Sequence, residues 1–488
     1  MYIDGQEIEA SSGEWIDSFN PYTGEVWAKI ARCTAADAER AVKAAHAAFS
    51  SGPWPELNAS QRGLLLHRLG DLIAREGKAL AQLEVLGNGK LIAEMQAQLN
   101  YVPNWFYYYA GMADKIQGAM IPIDKKGYLN YTRHEPLGVV SAITPWNSPI
   151  MIATMKLAPA RAAGNTVVLK PSEFTSASTI EFVKLFAEAG FPPGVVNVVT
   201  GYPQDVGTTL VTHPLVRKVA FTGSDQGGRQ INELAAKSFK RVTLELGGKS
   251  PNIVFDDANL KDAVDGALSG ILAATGQTCI AGSRLLLQEG IYQEFLDKFV
   301  ASAATARMGD PLNMETQIGP VATRPQFDKV LSYIEIAKQQ GAKVLLGGAA
   351  ASRPECGKGW FVEPTVLEGV SNDMRIAQEE VFGPVLAVIR FRDEREAVEI
   401  ANDSRYGLGA GVWTTDIGRA LRMSERIQAG TVWVNTYRAI SYMSPFGGYK
   451  DSGLGRENGM ESINEYLQTK SVWINGDAPA VNPYVMRL

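Results

Sequence analysis

Cys279 sits in a run of small residues, Gly276-Gln277-Thr278-Cys279-Ile280-Ala281-Gly282, and is a candidate nucleophile. A thiol that forms a covalent intermediate needs a base, an oxyanion donor and a route for the leaving group. Glu245 suits the first need. It ends the strand-like Arg241-Val242-Thr243-Leu244, precedes Gly247-Gly248 and is wedged between Leu244 and Leu246. Burial there would raise its pKa toward that of a working general base. Asn147, behind Pro145 and Trp146, offers an amide N–H to a developing oxyanion. Each residue also has a plainer reading. Unpaired cysteines are mostly inert core, lone glutamates are mostly solvated, and asparagine is common in turns. Cys33 and Cys356 lie in ordinary surroundings and read as structural. The four histidines, His46, His67, His134 and His213, leave little material for a histidine metal site or triad, and no metal is expected.

These residues must be held by something, and the surrounding pattern says what. Gly138–Ile143 is a continuous apolar run, as a strand buried on both faces should be. Strands are expected at Thr166–Lys170, Val195–Val199 and Lys218–Thr222, with helices near Ser178–Ala189, Gln204–Val211 and Gln226–Phe239. Alternating strand and helix argues for a doubly wound parallel sheet, which binds ligands at its C-terminal strand ends. Those ends are Thr144-Pro145-Trp146-Asn147, Lys170-Pro171-Ser172-Glu173, Thr200-Gly201 and Thr222-Gly223-Ser224. An acidic residue such as Glu173 can accept from an adenine-ribose diol and would repel a 2′-phosphate. Thr222-Gly223-Ser224 leads into a helix N-terminus, which suits a pyrophosphate. No GxGxxG occurs, so a dinucleotide site rests on these weaker features and stays open at this point.

Upstream, apolar spacing predicts amphipathic helices over 36–51 and 60–76, with a further helical stretch to about Met112. Pieces near Met120–Ile123 and Tyr128–Arg133, around Asp124-Lys125-Lys126-Gly127, read as a hairpin whose exposed strands could pair with another subunit. Past Lys249 the alternation resumes. Strands are expected at Arg284–Gln288, Lys343–Leu346, Pro384–Phe391, Gly409–Thr414 and Gly430–Asn435. Helices are expected near Leu260–Ala273, Tyr292–Ala306, Pro325–Gln340, Glu394–Asn402 and Ile417–Gln428. A last strand, Leu467–Ile474, could join the hairpin in a small third module.

Bulk properties exclude several classes. At about 150 residues per domain, 488 residues suggest roughly three units. The net charge of −5 gives no support for a nucleic-acid or anionic-membrane partner. No apolar run reaches the length of about 18 residues needed for a membrane span. Met1-Tyr2-Ile3-Asp4-Gly5 has no basic segment followed by an apolar one, so no signal peptide is expected. Three cysteines without CxxC spacing fit a reducing compartment, taken as the cytoplasm.

Seven stretches in order then carry a resemblance. They are Pro145-Trp146-Asn147, Lys170-Pro171-Ser172-Glu173, Phe221-Thr222-Gly223-Ser224, Glu245-Leu246-Gly247-Gly248-Lys249, Gly276-Gln277-Thr278-Cys279, Glu379-Glu380-Val381-Phe382-Gly383-Pro384 and Ser444-Pro445-Phe446-Gly447-Gly448. Together they resemble the NAD(P)-dependent aldehyde dehydrogenase superfamily, essentially end to end. The resemblance implies an α/β fold. A variant Rossmann cofactor domain without the glycine fingerprint would span 1–115 and 137–248. A second α/β catalytic domain would span 249–450, and a small β oligomerisation module 116–136 and 463–488. It implies NAD-dependent oxidation of an aldehyde to the acid, with NADP less favoured, by a homodimer or homotetramer. Cys279 would be the nucleophile, Asn147 with the Cys279 N–H the oxyanion site, and Glu245 the base that activates water. Lys156 and Glu457 would hold or relay protons beside it. Thr144, Pro145, Trp146, Lys170, Ser172, Glu173, Gly207, Phe221, Gly223, Ser224, Leu246, Gly247, Glu380 and Phe382 would contact the cofactor.

Ser148 departs from the family's commonest pattern, in which a large aromatic follows Trp-Asn. A serine there should widen the substrate funnel, with Met151, Ile152, Met155, Thr278, Ile280, Tyr437 and Phe446 lining the rest. Arg438 near the entrance suggests bulky, polar or anionic aldehydes, unless it is solvated or bonds backbone. The close alternative is a CoA-acylating semialdehyde dehydrogenase, against which Glu245 argues. A thiol hydrolase would need a histidine partner, and His213 has no supporting motif. A structural relative would have lost its catalytic residues, and here cysteine, glutamate and asparagine are all present.

Overall fold

The computed structural model describes residues 1–476 and Tyr484. The first sheet orders its five parallel strands Val196–Val198, Thr166–Lys170, Val139–Ile143, Val216–Thr222 and Arg241–Glu245. Every residue of Val139–Ile143 and Thr166–Lys170 is buried, as apolar runs covered on both faces require. In chain order this is 3-2-1-4-5, so the winding reverses between Val139–Ile143 and Val216–Thr222. The loops carrying Pro145–Asn147 and Gly223–Ser224 leave from that switch point, where such sheets bind ligands. Short antiparallel strands cap both edges: Tyr2–Ile3 beside Val198, and Gly453–Leu454 beside Leu244–Glu245. Very short edge strands of this kind offer little for stray pairing.

The second sheet holds six parallel strands in the order Thr365–Glu368, Val385–Phe391, Arg284–Gln288, Pro251–Val254, Gly409–Trp413 and Thr431–Val434. Lys343–Leu346 runs antiparallel at its edge. Pro251–Val254 is central yet absent from the sequence reading. It is four residues long and opens on proline, which a sheet tolerates only as a first residue, at an edge or at a bulge. Thr365–Glu368 was likewise not anticipated, and neither was the Trp15–Phe19/Val26–Ala31 hairpin.

A long helix, Ala59–Asn88, starts on a capping box from Asn58 and Gln61 and stops at left-handed Gly89. The helix expected near 204 opens instead with a π-turn, Pro203–Gly207, before Thr208–Thr212. The expected hairpin is present but short: Met120 bridges Tyr131, Ile121 N donates to Asn130 O at 3.0 Å and Thr132 N to Ala119 O at 2.9 Å. The last strand joins it as expected, Tyr128–Pro136 pairing antiparallel with Leu467–Asn475 along nine residues. Asp124-Lys125-Lys126-Gly127 is too polar to extend the shorter strand. The last stretch of the module expected at 463–488 lies outside the described residues, Tyr484 excepted.

Candidate active site

Cys279 lies where two cavities meet. It is partly exposed, and it lines both. The loop that carries it is tightly set. Ala274, Thr275 and Gly276 take successive left-handed φ values of 53°, 55° and 70°, a conformation unfavourable for the two non-glycine residues. Neighbours hold it there. Ala274 N donates to Glu94 Oε1 at 2.7 Å, Thr275 Oγ1 donates to Gly319 O at 3.1 Å, and Gln277 Oε1 accepts from Ala322 N at 2.8 Å. Asn147 Nδ2 donates to Gln277 O at 3.0 Å, which anchors the amide beside the thiol. An amide nitrogen has two hydrogens, so one remains for an oxyanion.

The Gly247-Gly248 pair lets the two α/β units touch at the site. A Cβ on Gly247 would come within 2.5 Å of Glu380 Oε2, and one on Gly248 within 2.7 Å of the Cys279 carbonyl. Gly248 N donates to Glu380 Oε1 at 3.0 Å, so the close approach also fixes that carboxylate. Burial pushes the Glu380 carboxyl up to about 7, against the Gly248 hydrogen bond.

Glu245 ends its strand with Thr222 beside it on one side and Gly453 on the other. It is 3% exposed, and neither carboxylate oxygen has a hydrogen-bond partner among the described residues. Burial raises its pKa well above the usual carboxylate value, the nearby Glu457 raises it further, and Lys156 opposes the shift. Lys156, on helix Pro149–Ala162, is paired with Glu457 and donates to Thr222 Oγ1 at 2.7 Å. The thiol of Cys279 is itself pushed up to about 12, first by burial and then by the charges of Glu245 and Glu380. Attack therefore requires a proton acceptor close by, since only the thiolate is a strong nucleophile.

The first cavity, a cleft of about 590 Å³, opens at the switch point. Of the residues expected to contact a cofactor, Pro145, Trp146, Gly223, Ser224, Leu246, Gly247, Glu380 and Phe382 line it, together with Asn147 and Cys279. Phe382 has φ 62° and meets Trp146 edge to face at 5.2 Å. Ser224 caps helix Asp225–Ala236 by accepting from Gly227 N at 3.1 Å. Thr144, Lys170, Ser172, Glu173, Gly207 and Phe221 lie outside this cleft. Lys170 and Glu173 are paired at 3.8 Å where the neighbouring strand ends. Gln326 and Lys329 also line the cleft and were missed. They come from the first two turns of Arg324–Gln339, where no local motif points them at a cleft.

The second cavity, about 1150 Å³, holds Asn147, Ser148, Met151, Ile152, Met155, Glu245, Thr278, Cys279, Ile280, Arg438, Phe446 and Glu457. Tyr437 is corrected: it does not line the cavity but stands behind it, its hydroxyl donating to Ile280 O at 3.0 Å. Ser148 lines the cavity, is 6% exposed, and its hydroxyl accepts from Lys90 Nζ at 2.7 Å, so a lysine stands beside the small residue. Lys90, Ala97, Gln98, Tyr101 and Ile440 were not anticipated here. Lys90 falls within the stretch expected to be helical to about Met112, where nothing marks it.

A thiol between a hydride-acceptor cleft and an aldehyde-sized cavity, with an unpaired buried carboxylate on the aldehyde side, is the constellation of a thioester-forming oxidoreductase. Residues 8–472 match the model of the aldehyde dehydrogenase family, and the chain belongs to that family. It is an aldehyde dehydrogenase, and NAD-dependent oxidation through a catalytic cysteine is the family's general chemistry. It is 45% identical to human retinal dehydrogenase 2, over 97% of this chain and 91% of that protein. Betaine aldehyde dehydrogenase from Staphylococcus aureus, solved with NAD+, is 41% identical over 99% of this chain and 96% of its own, with a TM-score of 0.98. The NAD+ complex of a Bacillus cereus aldehyde dehydrogenase is 45% identical, over 97% and 96%, with a TM-score of 0.95.

Proposed function

We propose that this chain oxidises a bulky or polar aldehyde to its acid with NAD, through a thioester on Cys279. The observation that carries this reading is the position of Cys279, shared by both cavities. The fit to a dinucleotide rests on the cleft at the switch point and on Glu380, cradled against a glycine that no Cβ could replace. Trp146, Leu246 and Phe382 would flank the nicotinamide end, Ser224 the pyrophosphate, and Lys170 with Glu173 the adenine ribose. Bound there, NAD takes up a hydride from the aldehyde carbon. The Cys279 thiol gives its proton to water in the cavity, its sulfur adds to that carbon, and the Asn147 amide and Cys279 N–H hold the oxygen that becomes negative. After hydride loss the carbon is a thioester. Glu245 takes a proton from water, the hydroxide displaces the sulfur, and Lys156 with Glu457 steadies the charge. The unpaired oxygens of Glu245 favour hydrolysis over transfer to the thiol of CoA.

Absorbance at the reduced-nicotinamide band, with an aldehyde panel and either NAD or NADP, tests the reading. NAD is expected to give the higher kcat/KM. Replacing Glu173 with Gln should raise the NADP-to-NAD ratio about tenfold, because a carboxylate would no longer face the 2′-phosphate. No change in that ratio would remove Glu173 from the ribose site.

We further read 1–115 with 137–248 as the cofactor unit, 249–450 as the catalytic unit, and the Tyr128–Pro136/Leu467–Asn475 ribbon as an oligomerisation module. That ribbon exposes Trp473 and Ile474 at 51% and 47%, which supports a homodimer or homotetramer. Sedimentation velocity should give two or four times the chain mass, and Trp473→Lys should shift it toward the monomer. A wild-type monomer at micromolar concentration would remove this part. No helix among the described residues is long and apolar enough to cross a membrane, and we assign the chain to the cytoplasm on its unpaired cysteines.

A further inference from the structure

The aldehyde-side cavity has one cationic pole. Lys90 is 5% exposed and donates to the Ser148 hydroxyl at 2.7 Å. Gln98 Nε2 reaches the same hydroxyl at 3.5 Å. Arg438, with φ 68°, donates to Ala273 O at 3.2 Å and Ser269 O at 3.3 Å. Lys90, Gln98, Ser148 and Arg438 all line the cavity. Two carboxylates stand near the cations, yet neither lines the cavity. Glu84 accepts from Ile150 N at 2.9 Å, and Glu94 accepts from Ala274 N at 2.7 Å. Each of these bonds uses Oε1, and Oε2 of each is buried without a hydrogen-bond partner among the described residues, so neither carboxylate makes a hydrogen bond to Lys90 or Arg438. Glu245 and Glu457, the carboxylates that do line the cavity, belong to the Lys156 cluster at the end of the first sheet.

Neither cation is within ion-pair distance of a carboxylate among the described residues. Burial pushes the Lys90 ammonium down to about 8; Glu94 and Glu84 oppose this, while Arg438 adds repulsion. Burial lowers Arg438 as well. Both donate to neutral oxygens, a hydroxyl and two carbonyls. Charged groups held this way gain most from an anion in bonding range, since charge-assisted hydrogen bonds are the strong ones. Much of the remaining lining is apolar: Met151, Ile152, Met155, Ile280, Ile440 and Phe446. The cavity therefore suits a molecule with an aldehyde at one end, a short hydrocarbon body and an anion at the other.

We propose that Lys90 and Arg438 form a carboxylate subsite, so that the preferred substrates are aldehydes bearing a terminal carboxylate. Ser148 and Gln98 orient the lysine, and the serine in place of an aromatic makes room for it. This rests on the aldehyde-oxidation reading above and narrows its substrate class. The upstream reaction must then be one that leaves a carboxylate and an aldehyde on the same small molecule, and the product is a dicarboxylate.

The test compares 4-oxobutanoate, 5-oxopentanoate and 6-oxohexanoate with their methyl esters and with butanal, at pH 7, where Lys90 is mostly charged. In the wild type the best acid is expected to exceed its own ester at least tenfold in kcat/KM, mainly through KM. Lys90→Met and Arg438→Met should each cut that acid-to-ester ratio by about 10- to 100-fold, the range for losing a hydrogen bond to a charged group. Glutarate, which carries no aldehyde, should slow alkylation of Cys279 by iodoacetamide in the wild type and not in either variant. An ester that equals or beats every acid in the wild type overturns the subsite, whatever the variants do. If acids, esters and butanal all fail to reduce NAD, the activity itself is overturned and the subsite with it. Brisk oxidation of butanal and esters, with acids no better, leaves aldehyde oxidation standing and sinks the subsite alone.

Discussion

Replacing Cys279 with alanine abolishes aldehyde-driven NADH formation, by about four orders of magnitude or more, while NAD binding survives. The magnitude follows from what is lost. Without the sulfur no bond forms to the aldehyde carbon, and the oxyanion donors have nothing to stabilise. Serine is no rescue, because its hydroxyl is harder to deprotonate than a thiol already pushed up to about 12. NAD binding should survive because the cleft is built mainly from other residues, among them Trp146, Leu246, Glu380 and Phe382. Trp146 also supplies the readout: NAD should quench its fluorescence equally in wild type and variant. The other two cysteines give the control. Cys33 is fully buried with its thiol donating to Met1 Sδ at 3.3 Å, and Cys356 is 2% exposed in the apolar core that includes Leu285, Leu287 and Leu386 of the second sheet. Alanine at either should change kcat less than about threefold, at some cost in stability from the cavity left behind. More than about 1% of wild-type rate in Cys279→Ala would end the thioester mechanism.

How much of this site could be read in the chain depends on which residues leave a local trace. Glu245-Leu246-Gly247-Gly248 is legible because backbone proximity to Glu380 and Cys279 admits no side chain, and only glycine satisfies that. Asn147 and Ser224 are legible because strand ends of a doubly wound sheet are where ligands bind. The buried strands are legible because both faces are apolar. Lys90, Gln98, Gln326 and Lys329 leave no such trace. Each sits in or beside a helix with an ordinary polar pattern, and only the packing of helices Ala59–Asn88, Ile92–Tyr101 and Arg324–Gln339 turns it toward a cavity. Ser148 and Tyr437 mark the same limit. Size suggested an open funnel and a lined wall, yet what stands beside a small residue is decided by an element distant in sequence. Pro251–Val254 fails for a related reason: a four-residue central strand carries too short a period to separate from the loop before it.

Glu245→Gln should separate the two halves of the reaction. Acylation and hydride transfer do not need water activated, so a burst of about one NADH per active site is expected. Steady-state turnover then falls by about 10²- to 10⁴-fold, the usual worth of a positioned general base. The pH dependence has a definite sign. Only the ionised carboxylate accepts a proton from water, so wild-type deacylation rises with pH through the Glu245 pKa. Burial and Glu457 place that pKa well above the ordinary carboxylate value. The glutamine variant should lose this rise. Stability moves the opposite way. An unfolded glutamate titrates near 4.3, so between that value and the raised native one the folded chain holds a proton that the unfolded chain has released. Stability then falls as pH rises across that window. A neutral amide has no such penalty, so Glu245→Gln should melt higher than the wild type at pH 8 and close to it at pH 4. An inactive variant that is the more stable one at pH 8 would mean the carboxylate is kept in place against the fold's own preference. An unchanged steady-state rate, or a missing burst, would take the deacylating role away from Glu245.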